Sequence, residues 1–213
     1  MDSCCESKAG ELAKLRSDHG RVLKVVLVLN AGLFVIEATA AIVAHSTALL
    51  ADSADMLGDA LVYGFSLYVL SRSAEWKSAA AVFKGLLMAL CGFGVLAKAV
   101  HQAWAGIVPI AETMGLVGAL VLAGNATCYF LLYRHRSDDL NMRSTWLCSR
   151  NDIIANLSVL GAAAGVNAFE AAWPDLLVGA AIAALFLRSA LMVLREALRE
   201  LQAMKLGAKE LAR

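Results

Sequence analysis

Three aspartates, Asp52, Asp55 and Asp59, stand at offsets of three, four and seven in the stretch LLADSADMLGDALVYGFSLYVL. Those offsets return to nearly the same side of a helix, so the three carboxyls form one ladder. A second stretch, STWLCSRNDIIANLSVLGAAAGV, carries Cys148, Asp152 and Asn156 at steps of four. Carboxylates and a thiol presented in pairs by two helices are the donor set of a cation site, and four of them suit a tetrahedral ion. The ligands this spacing offers are Asp55, Asp59, Cys148 and Asp152, with Asp52 and Asn156 as accessory positions.

Fully ionised, three aspartates and a thiol carry three or four negative charges, which a low-dielectric site does not hold uncompensated. The empty site therefore takes up protons and the filled site releases them, which predicts exchange of metal against protons. With a proton gradient, inward protons drive the metal outward. A single intramembrane Asp is often only a satisfied packing residue, and for Asp52, near its helix start, that reading weighs as much as the functional one. Lone Cys91 and Cys128 read as small core residues. Arg150 sits on another face from Cys148 and Asp152 and is expected to pair with an acid or snorkel. His45, His101 and His135 read as loop or boundary residues. Cys4, Cys5 and Glu6 form a possible capture point for a soft metal, beside the plainer reading of a polar tail.

The elements that must position these groups are membrane helices. A hydrophobic fraction of 60% in 213 residues, with two prolines, favours an all-α polytopic membrane protein over a soluble domain or a barrel. The near-neutral balance of +1 gives no reason to expect a nucleic-acid partner. The five cysteines make no disulfide framework, and residues 1–20 lack the apolar core of a cleavable signal peptide.

Six spans are expected, near 22–44, 48–70, 79–104, 114–133, 145–166 and 176–193. Asn30 and Glu37 lie on one face of the first, and Asn125 and Cys128 lie in the fourth; buried polar groups need partners, so they should point into the bundle. Gly85 and Gly92 make the third span a candidate packing or dimer face. At 1.5 Å per residue, Asp59 and Asp152 both lie roughly 20 Å from the outer ends of their spans and can share a level.

Lys and Arg cluster before the first span, between the second and third, and between the fourth and fifth, while the loops HST, AGIVPIAE and NAFEAAWPD contain none. The positive-inside rule then places both termini in the cytoplasm. The expected organisation is a cytoplasmic tail at 1–20, a six-helix transport domain at 21–195, and a short cytoplasmic amphipathic helix at 196–213 without a soluble domain after it. Leu191, Leu194, Leu198 and Leu201 form a stripe on that last segment, fit for a coiled-coil seam or for the membrane surface.

These residues resemble the cation diffusion facilitator family of divalent-metal exporters. The resemblance covers all six spans: Asn30 and Glu37, the run S-x-A-L-L-A-D-S-x-D-M-L-x-D from Ser46 to Asp59, Asn125, and C-x-x-x-D-x-x-x-N from Cys148 to Asn156. It implies that Asp55, Asp59, Cys148 and Asp152 form a tetrahedral transport site. It also implies alternating access, proton antiport and a homodimer, without enzymatic activity or a resident cofactor. Family members usually carry His where this chain has Cys148, and often where it has Asp55. They also usually carry a cytoplasmic domain after the sixth helix.

The expectation is thus a secondary transporter in a bacterial plasma membrane, exporting Zn2+, or else Cd2+, Co2+ or Fe2+, in exchange for protons. A metal sensor or assembly subunit without flux is the alternative. An intramembrane aspartyl protease would need a GxGD signature, and MLGD lacks its first glycine. A passive channel fits poorly, because thiolate and carboxylate ligands hold an ion too tightly for fast conduction.

Overall fold

In the computed structural model the backbone is described for residues 20–69, 74–133 and 140–211, and side chains for 24–58, 60, 81–133, 150–199 and 202. Six helices fill those segments: α1 (Gly20–Val43), α2 (Thr47–Val69), α3 (Ala74–Ala105), α4 (Ala111–Tyr133), α5 (Leu140–Phe169) and α6 (Trp173–Leu211). No strand occurs among the described residues. Among the described residues, five helices, α1 and α3 to α6, contain stretches long and apolar enough to cross a membrane. Asp52, Asp55 and Asp59 all lie along α2.

Short turns join α1 to α2, α3 to α4 and α5 to α6 at one end of the bundle. Each preceding helix closes on a left-handed residue: His45 (φ 55°), Gly106 (φ 64°) and Glu170 (φ 48°). At the first turn the amides of His45 and Ser46 donate to the carbonyls of Ile42 (3.3 Å) and Ala41 (3.0 Å), the paired bonds of a Schellman cap. Glycine is the usual residue there, and His45 takes the conformation with a side-chain penalty. Ser46 then caps α2, its Oγ accepting from Leu49 N at 3.1 Å. A further bond, Ile110 N to Ala44 O at 3.0 Å, ties the second turn to the first.

Packing divides the helices into a four-helix group, α1, α2, α4 and α5, and a pair, α3 with α6. Small residues fill the turn end of the four-helix group: Ala40, Ala41, Ala44, Ala48 and Leu49 meet Met114, Val159, Ala162, Ala163 and Val166 in one apolar plug. On its other face α2 contributes Ala51 and Ala54 to a core with Met88 and Val95 of α3 and Ala183, Phe186 and Ala190 of α6. Both groups therefore meet on α2.

The third-helix glycines serve packing within the chain. A Cβ at Gly85 would stand 2.7 Å from Leu194 Cγ, and one at Gly92 would stand 2.6 Å from Leu187 Cγ, so α3 and α6 approach too closely for any side chain there. Of the two roles expected for Gly85 and Gly92, packing or a dimer face, packing against α6 of the same chain is the one observed. The same contact engages Leu194, one member of the leucine stripe, and α6 continues without interruption from the apolar span into the charged segment up to Leu211.

Candidate functional site

Each helix of the four-helix group turns one stripe inward, and each stripe carries polar groups. On α1 the buried stripe runs Leu33, Glu37, Ala40, Ala41, Ala44; on α2, Ala48, Asp52, Met56; on α4, Met114, Gly118, Val121, Asn125, Cys128, Leu132; on α5, Asn156, Val159, Ala163, Val166. The steps of three and four that place them follow from helical geometry. Leu33, Met56 and Val121 pack together as a small apolar layer. Glu37 and Asp52 each lie one turn from that layer toward the turn end, and Asn125 lies one turn toward the other end. The result is a polar belt between the alanine-rich plug and the terminal half of the bundle.

Within the belt Glu37 is 0% and Asp52 2% exposed, and the two carboxyl groups are close neighbours. Both oxygens of Glu37 and Oδ2 of Asp52 have no hydrogen-bond partner. Two carboxylates cannot bond to each other unless a proton or a cation lies between them. Asp55, half-buried one turn along α2, is within electrostatic reach of both. Asn125 Nδ2 and Asn156 Oδ1 are likewise buried and unpartnered, while Asn156 Nδ2 donates to the backbone carbonyl of Asp152 at 2.8 Å. That bond fixes the Asn156 side chain against the turn that carries Asp152.

Asp152 is half-buried and stands within electrostatic reach of Cys128. Cys128 is 1% exposed and Cys91 half-buried, both free thiols packed as core residues, as their apolar surroundings predicted. Asn30 is half-buried on α1; Arg150, His45 and His101 are exposed. Of the four expected ligands, Asp55 and Asp152 are described, whereas the side chains of Asp59 and Cys148 lie outside the described residues, as do Cys4, Cys5, Glu6 and His135. Among the described residues, no group of three or more His, Cys, Asp or Glu side chains is arranged to hold a metal ion.

A second polar cluster, at the turn end, has no counterpart in the sequence reading. Asp175, 0% exposed in the first turn of α6, accepts Ser46 Oγ (2.6 Å) and Ala48 N (3.0 Å) on Oδ1, and Thr47 N (2.8 Å) and Gln102 Nε2 (3.1 Å) on Oδ2. Thr47 Oγ1 in turn donates to Gln102 Oε1 at 2.7 Å. The negative charge thus sits on the free amides at the N-terminus of α2, where the helix dipole favours it. Trp-Pro-Asp at a helix start is its only local signature.

The model of the cation efflux transmembrane domain family matches residues 23–202, from near the start of α1 well into α6. No curated protein matches the chain significantly.

Proposed function

Because the chain belongs to the cation efflux family, we propose that it exports a divalent transition metal from the cytoplasm in exchange for protons. Family membership makes it a multi-pass membrane protein and a transporter of metal cations, and the finer reading rests on the polar belt. The observation that carries it is the pair Glu37 and Asp52, whose three orphaned oxygens lie among apolar helices beside Asp55. Buried carboxylates without donors are satisfied by protons or by a cation, and such groups inside a membrane mark ion and proton pathways.

In this reading all six helices cross the membrane, α2 included, with the Lys- and Arg-free turns outside and both termini in the cytoplasm. Residues 1–20 form the cytoplasmic tail, 21–195 the transport domain, and 196–213 the cytoplasmic continuation of α6. Asp55 and Asp59 of α2 with Cys148 and Asp152 of α5 coordinate the ion. Glu37, Asp52, Asn30, Asn125 and Asn156 line its surroundings, and Cys4, Cys5 and Glu6 supply an entry point. Zn2+ is the favoured cargo, with Cd2+, Co2+ or Fe2+ admitted by the thiol. Protons displace the metal because the vacant carboxylates must be neutralised.

Transport takes place by rocking of the four-helix group against α3 and α6, in a homodimer within a bacterial plasma membrane. The turn end of the bundle faces outward in this reading, and the apolar plug packed there supports a closed outer side. Proteoliposome flux under a pH gradient tests the reading: proton-coupled metal uptake supports it, and binding without flux contradicts it.

A further inference from the structure

The Asp175 cluster bridges the two helix groups at a single point. Its donors come from Ser46, Thr47 and Ala48 at the head of α2 and from Gln102 near the end of α3, and its acceptor comes from α6. Contact is as close as backbone allows: a Cβ at Gly179, one turn into α6, would stand 2.8 Å from Thr47 C and 2.9 Å from Ala48 N. Any outward opening that swings α2 from α3 and α6 must break the bonds from Ser46, Thr47 and Ala48 to Asp175 together, along with that from Thr47 Oγ1 to Gln102. It would strip a fully buried carboxylate of three of its four partners and leave only Gln102 of α3, an outcome that needs a replacement charge.

A replacement stands one turn away. Lys98 precedes Gln102 by four residues and so shares its side of α3. Its Nζ is buried with no hydrogen-bond partner, and Asp175 lies within electrostatic reach. We infer that Asp175 is the catch of an outer latch, which holds the head of α2 in the closed state and passes to Lys98 when α2 moves away. The Ser46, Thr47 and Gln102 contacts stabilise the closed state and Lys98 stabilises the open one, so the two sets of residues act with opposite sign. The latch rests on the transporter reading for its purpose, but opening can be followed in a protein that moves no metal.

The experiment places a cysteine at Ala44, which is 0% exposed beside the latch, and measures its labelling by a membrane-impermeant maleimide added outside, read by mass on the peptide that carries it. Asp175→Asn is expected to speed labelling about tenfold or more by removing hydrogen bonds to a buried charge, and Gln102→Leu to speed it by a smaller factor. Gln102→Leu keeps the test intact if Asp175→Asn fails to fold. Lys98→Met is expected to slow labelling. A cysteine at Ala190, buried between α3 and α6, reports general loosening and should stay protected in every variant. Unchanged labelling in Asp175→Asn and Gln102→Leu, faster labelling in Lys98→Met, or parallel exposure at Ala190 would each overturn the latch.

Discussion

Glu37 on α1 and Asp52 on α2 bring their carboxyl groups close together inside the bundle, and three of their four oxygens have no hydrogen-bond partner. Two like charges side by side in an apolar setting repel, so a proton lies between the carboxyls when no cation is bound. An amide at position 37 supplies that donor permanently. Glu37→Gln is therefore expected to leave the thermal midpoint of the purified, metal-free protein within the equivalent of about 1 kcal/mol of the native value. A loss of about 3 kcal/mol or more would mean that a tightly held cation, and not a proton, satisfies the pair.

For the transport site, Asp59→Ala and Asp152→Ala should each abolish metal flux while the protein still elutes as a folded species. Each removes one of the four proposed ligands, and a three-ligand remnant would hold the ion in an open geometry. Flux retained in either variant would remove that residue from the site.

As a proposed ligand, Cys148 would set how soft the site is. Replacing the thiol by imidazole in Cys148→His should shift preference from cadmium toward zinc, measured as the ratio of the two uptake rates. An unchanged ratio would show that the thiol is not a ligand.

Two glycines of similar sequence setting should respond in opposite directions. At Gly179 a methyl group meets the backbone of Thr47 and Ala48, so Gly179→Ala should destabilise by about 1 to 3 kcal/mol, as overpacking does. At Gly94 nothing lies within 4 Å of the added carbon, so Gly94→Ala should be neutral or stabilise by up to about 1 kcal/mol through helix propensity. Thermal unfolding of both in one detergent checks the pair; equal effects would contradict the packing at the head of α2.

The carboxylate ladder of α2 was legible because a helix converts steps of three and four into one face, so Asp52 could be placed inward from spacing alone. The same rule turned Glu37, Asn125 and Asn156 inward, and all three are buried. The Asp175 cluster was not legible, because its donors lie 73 to 129 residues away in sequence and no local pattern joins them. Only the fold brings Ser46, Gln102 and Asp175 to one point. Gly85 and Gly92 announced a close helix contact without saying with which helix, and α6 of the same chain is the partner. The uninterrupted α6 was likewise hidden by a change of composition near residue 194, where apolar gives way to charged but the helical backbone continues.

The most direct test of the account is metal uptake into proteoliposomes under an imposed pH gradient, with a pH-sensitive dye inside and zinc, cadmium, cobalt and iron compared. The account predicts metal-dependent proton movement opposite to the metal, with uptake weakening as the metal-loading side is acidified, because protons compete for the same carboxylates. Clear metal binding with no flux at any gradient would contradict it.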